Sequence, residues 1–201
     1  MPAFAAKPTQ KRATYQAVLD APPHNVAEII DGTLSLQPRP AGPHAEVTSH
    51  LGMEIGPKFR RVAGGGPRKP GGWRILFEPE LHFPDDDGGS HVLVPDLAGW
   101  RLERLPQLPA TAWFDVVPDW VCEVVSPGTA RHDRMRKVPV YRQHGVPVVW
   151  LVDPLAQTIE VFVLREGQYG LQLTAGGMDR KVRLPPFEAV TFDLRRFWPV
   201  G

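Results

Sequence analysis

Trp120-Val-Cys-Glu-Val-Val-Ser-Pro127 is the stretch on which the fold turns. Its apolar run from Trp120 to Val125 reads as a buried strand, and Ser126-Pro127-Gly128 ends it. Side chains alternate along a strand. Trp120, Cys122 and Val124 therefore share one face, and Val121, Glu123 and Val125 share the other. A carboxylate between two valines is costly to bury without a partner. Two partners are open to Glu123: a metal ion, or a buried pair with Lys137 or an arginine. The run His91-Val-Leu-Val-Pro-Asp-Leu-Ala98 poses the same problem at Asp96, which sits between Val94 and Ala98. There the alternatives are a metal ion or an aspartate that caps a strand end or turn. Two carboxylates on neighbouring strands form an oxygen-rich site for a hard divalent cation. Lys137, closing the basic segment Arg131-His-Asp-Arg-Met-Arg-Lys137, can orient a water or stabilise developing phosphorane charge. These residues are the minimum equipment for metal-dependent phosphodiester hydrolysis.

Working outward, the chain reads as strand-rich with few helices. Thr14 caps a short helix through Leu19, stopped by Pro22 and Pro23. Asp31-Gly32 between apolar runs predicts a hairpin over residues 27–36. Pro43 opens a helix whose apolar stripe is Val47, Leu51, Ile55 and Phe59, and Gly56-Pro57 is expected to kink or shorten it. The segment Gly64–Gly72 reads as a flexible connection. Residues 73–83 and 92–100 are each expected to form one strand, with Asp85-Asp-Asp-Gly-Gly89 as a turn rather than a calcium loop. Residues 101–115 are an irregular excursion. Strands are predicted over 146–152, 158–164 and 169–174, with a helical turn over 192–198. A crossover helix between the Glu123 strand and the Val149 strand predicts a mixed sheet with helices packed on it. Pro139, two residues after Lys137, removes an amide bond to Met135, so the helix either kinks or begins its regular part near Pro139.

At 201 residues, with 42% apolar residues, the chain suits one domain over 14–201 behind a flexible N-terminal tail, 1–13. The net charge of +1 says little, but its distribution is uneven. Lys58, Arg60, Arg61, Arg68, Lys69 and Arg74 form one stretch without an acid. A second runs from Arg131 through Arg134 and Arg136 to Arg142, interrupted only by Asp133. Both suit a polyanionic partner or, equally, the solvated faces of ordinary helices and loops. The single cysteine, Cys122, excludes an internal disulfide framework and reads as buried packing, which suits a cytoplasmic setting. The first residues lack the apolar core of a signal peptide, and no run approaches the roughly 18 apolar residues needed to cross a membrane.

An ordered set of segments resembles a known family: Glu28-Ile-Ile-Asp-Gly32, His44, Val94-Pro-Asp96, Glu123-Val-Val-Ser-Pro127, Asp133, Lys137, Tyr141, Gly145-Val146 and Trp150-Leu-Val-Asp-Pro154. Their order is that of the Uma-two family of restriction-endonuclease-like proteins, over roughly Thr14 to Trp198. The family looks like a branch of the PD-(D/E)-x-K nucleases. The resemblance implies an α/β (α+β) fold, a restriction-endonuclease-like mixed β-sheet core flanked by helices, with Mg²⁺-dependent cleavage of DNA, Mn²⁺ substituting. It implies that Asp96, Glu123 and the Val124 carbonyl are metal ligands. The motif lysine falls at Val125, which cannot fill that role; Lys137 matches the lysine that substitutes from the following helix. Glu28 and His44 match the family's acidic and histidine positions near the site. Read from the residues alone, His44 is either a packed, hydrogen-bonded histidine or a substrate or water contact, and Glu28 either pairs with an arginine or serves the site.

The expectation is a Mg²⁺-dependent DNA endonuclease: Asp96, Glu123, Lys137, Glu28 and His44 at the chemistry, and Lys58, Arg60, Arg61, Arg68, Lys69, Arg131, Arg134 and Arg136 on the phosphate backbone. A homodimer is expected for a double-strand cutter. The competing class is a non-catalytic nucleic-acid-binding or protein-interaction module on a decayed nuclease fold.

Overall fold

The computed structural model describes residues 12–60 and 70–199. Helix α1 (Tyr15–Leu19) leads into strands β1 (Asn25–Ile30) and β2 (Thr33–Pro38). Asp31 and Gly32 both have positive φ, 51° and 68°, which is what a tight two-residue hairpin turn demands. Helix α2 (Gly42–Phe59) carries Pro43 in its first turn, where its missing N–H costs nothing. Val47, Leu51, Ile55 and Phe59 are all buried. The helix passes Pro57 and ends at Phe59, so proline shortens it little: it falls in the last turn, where one lost bond is tolerable.

Two expected strands prove to be four. Residues 73–83 divide into β3 (Trp73–Phe77) and β4 (Glu80–Pro84). Residues 92–100 divide between β5 (Ser90–Leu93) and β6 (Leu97–Arg101). The breaks have local causes. Glu78 adopts φ +44°, outside the range of a strand, and Pro79 follows it. Pro95 has no N–H to donate to a ladder. At each break the chain leaves one sheet for another, and the two crossings touch: Glu78 N–H donates to the Asp96 carbonyl at 3.1 Å.

The remaining strands are β7 (Trp113–Phe114), β8 (Trp120–Val124), β9 (Val148–Asp153), β10 (Thr158–Arg165) and β11 (Gln168–Gly176). Among the described residues the strands form two sheets, a five-stranded one ordered β2-β1-β5-β4-β7 and a six-stranded one ordered β11-β10-β9-β8-β6-β3. Both are mixed, with β4 parallel to β7 and β8 parallel to β9. Asp85 folds its own loop into a turn, its Oδ1 accepting from the Asp87 and Gly89 amides.

The β8–β9 crossover carries one continuous helical stretch. It runs from α3 (Ala130–His132) through a π turn (Asp133–Lys137) into α4 (Val138–Gln143). Pro139 explains the order. It cannot bond back to Met135, so the helix widens before it, with Val138 N–H reaching the Asp133 carbonyl. A regular helix then starts with proline in its first turn.

The two faces of β8 enter two different cores. Trp120, Cys122 and Val124 pack with the α2 stripe, Trp73 and Trp150. Val121 and Val125 pack with Val140 and Tyr141 of α4. Each large apolar side chain buried this way contributes about 1.5–3 kcal/mol. Glu123 therefore points away from α2 and under the crossover helix. Among the described residues no helix is long and apolar enough to cross a membrane.

Candidate active site

Asp96 stands where the chain enters the six-stranded sheet. Backbone pairing of β6 with β8 begins at Leu97↔Cys122. One step earlier, the Asp96 side chain takes over: its Oδ2 accepts the Val124 N–H at 2.7 Å. It thus caps the end of β8, one of the two roles its sequence allowed. Its other oxygen, Oδ1, lies 3.2 Å from Nε2 of His44, on the first turns of α2.

Next along β8, Glu123 Oε2 accepts from Lys137 Nζ at 2.8 Å, and its Oε1 accepts from the Tyr141 hydroxyl at 2.5 Å. Lys137 also donates to the Val94 carbonyl at 3.1 Å and lies 3.1 Å from Glu28 Oε1. Its three protons thus have three acceptors. Asp133 Oδ1 stands further off at 4.0 Å. Glu28, on β1, also accepts the Val94 N–H at 2.8 Å, and its other oxygen lies 3.2 Å from His132 Nε2.

Glu28, His44, Asp96, Glu123, Val124 and Lys137 line one pocket of about 170 Å³, and Asp133 joins them. Asp133, His132 and Tyr141 also reach the site, although the sequence expectation assigns none of them a role there. The signal was present in the four-residue spacing of Asp133, Lys137 and Tyr141 on one helix.

Four carboxylates around one ammonium unbalance the pocket. Burial raises the Glu123 pKa well above the ordinary carboxylate range, and the charges of Asp133, Asp96 and Glu28 add to this while Lys137 opposes it. Burial likewise raises Asp133 against the pull of Lys137 and a Thr129 hydrogen bond. Burial would also raise Glu28, but the Lys137 charge and its hydrogen bonds to His132 and Val94 hold it below the usual value. Burial alone would lower Lys137; the surrounding carboxylates, Glu123 first, push it well up instead. Burial would lower His44 as well, and the hydrogen bond and charge of Asp96 raise it overall.

The backbone-contact candidates are spread out. Arg131, Arg134 and Arg136 lie exposed on the outside of the crossover helix; Arg134 pairs with Glu160 at 3.0 Å and Arg136 with Asp31 at 3.5 Å. Lys58 and Arg60 lie at the far end of α2, roughly 20 Å along the axis from His44. Lys58 pairs with Glu54 at 2.9 Å and covers the Phe192 ring. The structure does not bring these two residues to the pocket. Arg61, Arg68 and Lys69 lie outside the described residues.

Among the described residues no three histidine, cysteine, aspartate or glutamate side chains converge as a ready metal cluster. A small hard cation such as Mg²⁺ does not require one, since it is commonly held by one or two carboxylates and keeps several waters. Asp96, Glu123 and the Val124 carbonyl offer such a donor set. Each carboxylate oxygen bonded above retains lone-pair capacity, and the surplus of negative charge favours a cation. The residues fit Mg²⁺.

No curated protein matches the chain. Among solved structures it is similar to a "putative nuclease belonging to DUF820" from Anabaena variabilis ATCC 29413, with a TM-score of 0.66 and 22% identity over 92% of this chain and 96% of that one. That likeness is one of fold, a restriction-endonuclease-like α+β arrangement. The model of the Uma2 family, described as "Putative restriction endonuclease", matches residues 13–195, and the chain belongs to that family.

Proposed function

We propose that the protein is a Mg²⁺-dependent DNA endonuclease that hydrolyses phosphodiester bonds, with Mn²⁺ able to replace Mg²⁺. One observation carries this reading. Asp96, Glu123 and Lys137 come from a strand entry, a strand and a helix, yet they line a single pocket with a surplus of negative charge. Asp96, Glu123 and the Val124 carbonyl would hold the metal, which supplies Lewis-acid polarisation of the phosphate and an acidified water. The protein's own groups do the rest. Lys137 stays protonated among its carboxylates. It is therefore no general base; with its protons held by Glu123, Glu28 and the Val94 carbonyl, its ammonium acts through its charge, which stabilises the phosphorane. His44 is the pocket group whose ordinary pKa lies near neutrality. Raised by Asp96, it is placed to give a proton to the leaving oxygen.

A second reading has its own support. Lys137 has an acceptor for each proton, and both oxygens of Asp96, Glu123 and Glu28 have a protein partner. Such a self-contained network suits a non-catalytic nucleic-acid-binding or protein-interaction module on a decayed nuclease fold. Incubation with supercoiled plasmid DNA in Mg²⁺, Mn²⁺ or EDTA separates the two. The nuclease reading expects nicked or linear product in either metal and none in EDTA, with Asp96→Asn and Glu123→Gln inactive. Intact plasmid in both metals, from folded protein, would establish the second reading.

A further inference from the structure

The pocket's charge poses a problem for an anionic substrate. Lys137 and Arg39 are the only lysine and arginine among the described residues that line it. Lys137 is buried and its protons are all taken. Arg39 differs in each respect. It lies between β2 and α2, bracketed by Pro38 and Pro40, whose fixed φ angles limit how the backbone moves beneath it. Its side chain is 54% exposed, and both its contacts are long: 3.4 Å to Glu78 Oε2 and 3.4 Å to the Pro23 carbonyl. An exposed ion pair at that distance holds its partners weakly. Glu78 is the residue with φ +44° at the first sheet crossing, so its side chain is carried by a fixed corner of the chain. Arg39 and Glu78 line both this pocket and a neighbouring concavity bounded by Val18, Pro22 and Glu80. A strand laid across both must pass the pair.

We infer that Arg39 is a substrate-binding residue, a latch that exchanges Glu78 for a backbone phosphate flanking the scissile bond. The assignment rests on the nuclease reading. A guanidinium can bind a phosphate through two parallel N–H bonds, whereas its one bond to Glu78 is long. Substrate thereby gains a cation where the pocket would otherwise repel it, and Glu78 screens the site from weaker anions.

The test is fluorescence anisotropy of a short labelled DNA duplex in EDTA, alongside plasmid cleavage in Mg²⁺. Arg39→Ala should weaken duplex binding about tenfold. Arg39→Lys should recover part of that loss. Glu78→Gln should tighten binding about threefold, and the double variant should bind like Arg39→Ala, because Glu78 acts through Arg39. Melting curves verify that each variant is folded. Wild-type protein that binds and cleaves, with affinity unmoved by Arg39→Ala, overturns the assignment and leaves the nuclease reading standing. Tightening by Glu78→Gln that persists without Arg39 shows general repulsion and overturns the latch. Wild-type protein that neither binds nor cleaves overturns the nuclease reading and this assignment with it.

Discussion

Lys137 Nζ lies 2.8 Å from Glu123 Oε2, and both side chains are almost wholly buried. Two strands and a helix meet at this ion pair, so it belongs to the fold and to the chemistry at once.

Lys137→Met separates these roles. It should lower cleavage by roughly 10²- to 10⁴-fold, the range for losing a positioned charge-stabilising group. It also leaves Glu123 and Glu28 without their shared cation, which should cost about 3–5 kcal/mol of stability at neutral pH. Denaturant unfolding measures the second effect and plasmid cleavage the first. A variant that is destabilised but cleaves at the wild-type rate per folded molecule would make the lysine purely structural.

Asp133→Asn should act in the opposite sense on stability. The folded-state pKa of Asp133 is raised, chiefly by burial. Its stabilising contribution is therefore complete below the unfolded value, near 3.8, and is lost as pH rises through the higher folded value. Above that folded value the ionised aspartate stands beside the charges of Asp96 and Glu28, and asparagine should stabilise the fold by about 0.5–2 kcal/mol. That gain should shrink steadily on acidification. Equal effects of the substitution at pH 8 and pH 4 would contradict this electrostatic account.

Metal binding should be visible without catalysis. Mg²⁺ at a hundred times its dissociation constant should stabilise the protein by about 2.7 kcal/mol. Glu123→Gln keeps most of the shape and removes one ligand charge, so its melting temperature should no longer respond to Mg²⁺. An identical rise in wild type and variant would place the ion elsewhere.

Helix α2 carries His44 to the pocket and is seated by its apolar stripe. Leu51 is fully buried there, and Leu51→Ala should cost about 2–5 kcal/mol. Leu19→Ala, at a position 60% exposed on α1, should change stability by less than about 0.5 kcal/mol. Chemical denaturation compares them directly.

Much of this arrangement was legible in the residues. The alternation in β8 assigned Glu123 its face, the four-residue stripe of α2 named its core contacts, and Asp31-Gly32 marked its turn. The sheet crossings were not legible. Apolar residues continue on both sides of Glu78 and Pro95, and hydrophobic pattern reports burial without saying in which sheet. Only the backbone chemistry of Pro79 and Pro95 hinted at the breaks. The role of Asp133 was hidden for a related reason: charge counting along the chain cannot show which side chain of a helix turns inward. The exposed positions of Arg134 and Arg136 beside buried Lys137 show how sharply neighbours on one turn diverge.

Cys122, the only cysteine, lies one residue from Glu123 at the centre of β8 and is wholly buried. Burial pushes its thiol pKa well above the ordinary value, and the nearby Asp96 and Glu123 charges reinforce this. In the closed protein the thiol is therefore inert to alkylating reagents. Its labelling rate then becomes a clock for the opening of the strand that carries the site, since reagent reaches sulfur only when β8 parts from its neighbours. The protein needs no engineered probe: a stopwatch on thiol modification, with and without divalent cation, reads how firmly the site holds itself shut.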